Sequence, residues 1–294
     1  MIECIFTVDY EIFGNGRGSL EELVIAPAER LKTIFQSRNL RFVLYPEVAE
    51  LERIEAESAD PALERVKQQL QEFHQDGFEL GLHVHPWWYN AHYKNREWVL
   101  DYSEYNLCVL PRARVIQIIE RAIAYYNRLL NRSGIAPFSY RAGHLLFQPA
   151  KTVAGVLAEQ GVKVDSSVFK GGVWKHHKQD YRGTKRNGYY WKFSDRIELP
   201  DPDGALLELP IYTRMIPIWK MLTTKRIGLK KRGASVAQTS KKMTSRITDY
   251  LRLFYPQKFD VCSMSIDELT STIDPILRED KADPSTYRPI VAIG

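Results

Sequence analysis

The segment ELGLHVHPWW, residues 79–88, decides how the rest of this 294-residue chain is read. It follows the turn-forming Gln75-Asp76-Gly77, and its apolar entry, residues 78–82, has the composition of a buried strand. Side chains two apart on a strand share a face, so His83 and His85 point together while Val84 packs away from them. With about 7 Å between their Cα atoms, both imidazoles can reach one ion at about 2 Å. Pro86 ends the ladder, and Trp87 and Trp88 are expected to offer flat apolar surface beside that ion. The plain alternative is two histidines satisfied at a strand end. A His pair on one face, next to a Pro-Trp-Trp exit, favours metal binding or catalysis.

Outward from this strand the same grammar recurs. Residues 2–8 are an apolar, β-branched run expected to form a strand buried on both faces, delivering Asp9-Tyr10-Glu11 to its carboxyl end. Asp9 and Glu11 share parity and Tyr10 faces away; paired carboxylates suit a cation or acid–base work. The Gly14, Gly16, Gly18 spacing is not that of a dinucleotide loop and reads as a flexible connection. A helix at 27–37 leads to a strand at 41–46, and a charged helical region runs on to His74. Residues 137–140 feed Arg141 and His144, and residues 162–164 feed Asp165-Ser166-Ser167, with helices at 111–130 and 149–160. Strand, polar strand end and helix therefore alternate four times. This predicts an α/β fold, a parallel sheet or barrel, with its site at the carboxyl ends of the strands.

The remaining segments complete a single expected domain, 1–294, with a loop and hairpin excursion at about 168–250. The ring-rich residues 89–105 read as a substrate-facing flap, and residues 171–190, with His176 and His177, as a long mobile loop. An antiparallel hairpin is expected over residues 198–210 around Asp203-Gly204, then a strand at 259–264, a helix at 266–278 and a last strand at 289–294. Composition is that of an ordinary globular protein: 44% apolar, 26% charged, net charge +5. That charge is too mild to argue for nucleic acid. Its one concentration, residues 220–246, has Lys and Arg without Asp or Glu. It reads first as a solvated face and second as a dock for an anionic membrane or a phosphorylated lipid carrier. Cys4, Cys108 and Cys262 read as buried thiols, and the start of the chain has no leader pattern, so a cytoplasmic protein is expected.

Taken together, these strand ends resemble the motifs of the polysaccharide deacetylase family, the NodB-homology metal-dependent carbohydrate esterases, over nearly the whole chain. Thr7-Val8-Asp9-Tyr10-Glu11 is similar to the family's Thr-Phe-Asp-Asp motif and puts Asp9 in the place of the general base. Tyr10 stands where the family has its metal-binding Asp, so either Glu11 or Asp9 is the metal carboxylate. His83 and His85 correspond to the family's two metal histidines, two apart here rather than four. Arg141 matches the arginine that orients the base, followed by Ala142-Gly143-His144 in place of proline; Asp165-Ser166-Ser167 matches the fourth motif. The fifth, a strand leading to an acid histidine, would follow residue 293. A truncated chain is thus expected, with His144 as the substitute acid.

The resemblance implies a distorted (β/α) barrel and a metal-dependent hydrolase acting on C–N bonds other than peptide bonds. It would remove an acyl group, N-acetyl in the first place, from a sugar or glycan precursor. Asp9, Arg141, His144 and Asp165 would be catalytic, Glu11, His83 and His85 would hold a divalent metal, zinc by donor type, and Trp87 and Trp88 would stack on the sugar. Two alternatives stay open: a small cyclic amide hydrolase on the same fold, and a non-catalytic glycan-binding relic, for which Tyr10 and the absent terminal histidine speak.

Overall fold

In the computed structural model, which describes residues 1–185, 189–221 and 253–294, the alternation of strand and helix is present. β1 (Ile2–Tyr10) is followed by α1 (Ala26–Gln36), β2 (Val43–Pro46), α2 (Val48–Glu57), α3 (Leu63–Gln75), β3 (Glu79–Leu80) and β4 (Leu82–Val84). A short hairpin, β5 (His92–Lys94) and β6 (Glu97–Val99), precedes α4 (Arg112–Leu129), β7 (Ser139–Ala142), α5 (Lys151–Glu159) and β8 (Val164–Asp165). The second half contains β9 (Val173–Trp174), β10 (Gln179–Asp180), β11 (Trp191–Phe193), β12 (Leu206–Glu208), β13 (Thr213–Pro217) and α6 (Ile218–Met221). β14 (Phe254–Lys258), α7 (Ile266–Ala282) and β15 (Arg288–Ile293) complete the described elements.

Two sheets carry the site. One has the order β15-β1-β2-β3 and is parallel throughout. The other has the order β11-β12-β8-β7-β4 and is parallel except for β11 at its edge. β3 and β4 are one extended segment broken at Gly81. A Cβ there would lie 2.4 Å from Tyr45 Cε1 and 2.7 Å from Ser139 Oγ, so glycine lets β2 and β7 close around the break. The sheets also meet through a bridge between Glu47 and His83, and through Ile211, which bridges both Phe169 and Val291.

Helical periodicity explains the cover. α4 buries Val115, Ile118, Ile119, Ala122, Tyr126 and Leu129, spaced three and four apart, and the Tyr126 hydroxyl donates to the Leu80 carbonyl at 2.7 Å. α7 starts at a capping box in which Ser265 and Glu268 satisfy each other's backbone N–H groups. Among the described residues no helix is long and apolar enough to cross a membrane.

Several expectations are corrected. β1 is not buried on both faces, and Cys4 on it is exposed, because β2 pairs with β1 only from Thr7 onward and leaves residues 2–6 with β15 alone; Cys262 is exposed because it lies in the turn after β14. Residues 198–201 form no strand. The Asp203-Gly204 turn instead belongs to a hairpin of β11 with β12, which brings Leu206–Glu208 into the main sheet. The strand expected at 259–264 lies earlier, as β14, and pairs with β13. The flap at 89–105 contains the hairpin β5–β6, and the loop at 171–190 contains the hairpin β9–β10 and the fully buried Tyr181. The basic run at 220–246 lies, beyond residue 221, outside the described residues.

Candidate metal centre

The carboxyl ends of β1, β2, β4, β7, β8 and β12 supply Asp9 and Glu11, Glu47, His83 and His85, Arg141 and His144, Asp165, and Glu208 respectively. The parity argument holds for the histidines. Their Nε2 atoms approach to 3.1 Å, and Glu11 Oε2 stands 3.1 Å from His85 Nε2 and 3.5 Å from His83 Nε2. Three lone-pair donors thus form a triangle with sides of 3.1, 3.1 and 3.5 Å. Ligands at about 2.0–2.1 Å in a tetrahedron are separated by about 3.3 Å, so this triangle has the size of one tetrahedral face, and the residues fit an ion with one vertex open.

Surrounding groups fix the donors. His83 Nδ1 lies 2.8 Å from the Arg141 carbonyl, which can only accept, so the proton is on Nδ1 and the Nε2 lone pair faces the triangle. The backbone N–H of His85 donates to Glu47 Oε1 at 2.6 Å. Gly143 lets the end of β7 approach this ring: a Cβ there would lie 2.7 Å from the Val84 carbonyl and 2.9 Å from His85 Cγ. Burial disfavours charge on Glu11, but the two imidazoles hold its carboxyl well below the ordinary carboxylate range. Burial likewise pulls His83 down, yet its hydrogen bond to Glu11 and the charges of Asp9, Glu11 and Glu47 raise it to about 9. Without an ion, the cluster holds a proton.

Asp9 is not part of the triangle. Its Oδ1 accepts from Arg141 Nη1 at 2.7 Å, and Arg141 is fully buried, its other N–H groups going to Thr7 Oγ1, the Ser166 carbonyl and Ser166 Oγ. The guanidinium also lies 4.2 Å from the centroid of the Tyr45 ring. Asp9 and Glu11 keep 20% and 25% of their side chains accessible, which marks where a substrate can enter. Tyr10 faces away, as expected, and donates to Gln69 Oε1 at 2.7 Å.

The other expected site residues are placed differently. Asp165 is fully buried: it accepts from the Ser167 hydroxyl at 2.7 Å, and its carboxyl interacts with that of Glu208. Burial and the Asp165 charge push the Glu208 carboxyl well up, so the pair shares a proton. Trp87 and Trp88 have no exposed surface. They stack on each other at 4.8 Å and form the wall behind His85, not a platform for a sugar, because the short helical turn after Pro86 directs both rings inward. His144 reaches the centre with its ring edge-on to His85 at 4.4 Å and stacked on Tyr105 at 4.5 Å. It adopts φ +54°, a left-handed conformation that a non-glycine residue reaches at a cost of about 1–3 kcal/mol. Its Nε2 is buried without a hydrogen-bond partner.

The sequence reading missed Glu47, Glu50 and Glu208. Glu47 is fully buried and pushed up to about 8, chiefly by burial; the Ile12 N–H donates to Glu50 Oε1 at 3.0 Å. The criterion that found Asp9 applies equally to Glu47, which directly follows the strand residues Leu44-Tyr45-Pro46.

No family model matches this chain, and no curated protein matches it. Among solved structures it is similar to the crystal structure of Puue allantoinase, with 12% identity and a TM-score of 0.47 over 100% of this chain and 76% of that one.

Proposed function

We propose that this chain is a metal-dependent hydrolase that removes an acyl group, N-acetyl in the first place, from a sugar or glycan precursor. Its ring of linked strands is read as a distorted (β/α) barrel of the polysaccharide deacetylase type. The observation that carries the reading is the tetrahedral-sized triangle of His83, His85 and Glu11 beside a carboxylate, Asp9, pinned by a fully buried arginine. His83, His85 and Glu11 would hold a divalent ion, zinc by donor type, which when bound would supply Lewis acidity to a water molecule.

The chain's own residues do the rest. Asp9 accepts the proton of the attacking water, and Arg141 keeps that carboxylate aimed by a charge-assisted hydrogen bond. His83 stays a lone-pair donor because the Arg141 carbonyl holds its Nδ1 proton, so one residue, Arg141, orients base and ligand together. With Trp87 and Trp88 buried and Tyr105 packed between His144 and His177, sugar contact is assigned to the half-buried Trp174, 6.4 Å from His144.

The test is metal content together with acetate release from a panel of N-acetylated and O-acetylated sugars. The expected result is about one equivalent of metal, acetate release that stops with chelation, and recovery on adding zinc. A fully metal-loaded protein that releases acetate from none of them would overturn the reading.

A further inference from the structure

Cleaving an amide requires a proton for the departing nitrogen, and no group named so far is placed to give it. Arg141 is committed to four acceptors, and the Nε2 of His144 is buried from solvent, with no hydrogen-bond partner to resupply a proton. One ammonium group on this rim has no part in the steps above: Lys258, the last residue of β14. Its neighbours fix its position. The N–H of Phe259 donates to the Tyr212 carbonyl at 2.8 Å, Asp260 bridges Ile293 of β15, and the next carbonyl, of Gly294, accepts from the Asp9 N–H at 3.1 Å. Lys258 therefore comes to the same end of the sheet as Asp9.

Its Nζ lies 5.5 Å from the centroid of the Phe169 ring, and the charges of Asp9, Asp260 and Arg141 all act on it. Among the described residues no carboxylate comes within ion-pair distance of it, unlike Lys32 and Lys67, which are each held by two. A half-buried cation with no carboxylate in contact, within the field of the base of the proposed hydrolytic site, is poised for a group that arrives with the substrate.

We propose that Lys258 is the proton donor to the leaving nitrogen, acting across the substrate from Asp9. The proposal rests on the hydrolase reading. As the water oxygen bonds to the acyl carbon, Asp9 takes the water's proton. The C–N bond then breaks with its electron pair going to nitrogen, which takes a proton from Lys258 Nζ. The products are the carboxylic acid and the amine; Lys258 regains a proton from solvent, to which Asp9 returns its own. Burial, aided by Arg141 and opposed by Asp260 and Asp9, lowers the amine below the ordinary lysine range, which favours proton release.

The experiment compares wild type, K258M and K258R, each loaded with zinc, on di-N-acetylchitobiose and on 4-nitrophenyl acetate, whose phenolate leaves without a proton. Both variants should lose about a hundredfold or more in kcat on the amide and keep ester turnover within about threefold. Arginine keeps the charge but, with a pKa above about 12, does not donate its proton. Chitobiose affinity by calorimetry and the melting temperature should be unchanged. Full amide turnover in K258M, rescue by K258R, or equal loss on both substrates would overturn the assignment, the last making Lys258 a binding or structural group. A zinc-loaded wild type inactive on both substrates would overturn the hydrolase reading itself, and this inference with it.

Discussion

On the β7–β8–β12 side of the rim, Arg141, Asp165, Ser167 and Glu208 are all fully buried and bonded to one another's elements. Ser167 Oγ donates to Asp165 and accepts from the Ala142 N–H at 2.9 Å, and Glu208 Oε1 accepts from the Val168 N–H at 3.0 Å. On the β1–β4 side, Glu11, His83 and His85 turn three acceptors toward one point. Both sides are built from ionisable groups, but on the first backbone and hydroxyl donors meet most of the oxygens, leaving Glu208 Oε2 to the proton shared with Asp165, whereas on the second three acceptors face one another. A network rich in donors fixes strand ends in place, whereas three converging lone pairs are stable only around a cation or a proton. Buried charge alone is therefore a poor guide to function here.

The largest effect should come from breaking the triangle. His83→Ala removes one of three protein ligands, and zinc affinity, measured by competition with a chromogenic chelator, should fall by more than the ~10–100-fold typical of losing an outer partner. Zinc retained at wild-type affinity would mean that the ion sits elsewhere.

Next is Asp9, which touches both sides of the comparison. Asp9→Asn can still accept from Arg141 Nη1, so the fold should persist while acetate release drops about a hundredfold or more. Circular dichroism and initial rates on the same preparation check the two halves of that statement.

The donor-rich side should respond in stability. Glu208→Ala strips Asp165 of a partner in a fully buried setting and should cost about 1–3 kcal/mol in urea unfolding, with Glu208→Gln costing less. A carboxyl whose folded pKa is raised binds its proton more tightly when folded. Its contribution is therefore present below the unfolded value of about 4.3 and is lost as pH rises above it. Glu208→Gln should flatten that part of the pH–stability profile, and an unchanged profile would mean that the pair carries no shared proton.

The smallest effect belongs to Ser167→Ala, which loses the Ala142 and Asp165 contacts and should cost about 1 kcal/mol in the same assay with metal affinity unchanged. A change in metal affinity would show that the two sides of the rim are coupled.

The sequence by itself determined the alternation of strands and helices, the convergence of His83 with His85, the outward turn of Tyr10 and the strand end that carries Arg141. Each of these follows from a period of two or of 3.6 residues and from the polarity of a strand's last residues, which are local properties of the chain. Only the tertiary structure decided that Glu11, and not Asp9, completes the triangle, because Arg141 arrives from β7, 132 residues away, and takes Asp9. It also turned Trp87 and Trp88 inward, gave Asp165 a buried partner in Glu208, and brought Lys258 within the field of Asp9. Those outcomes depend on which distant group satisfies a buried charge first, a competition that local periodicity cannot register.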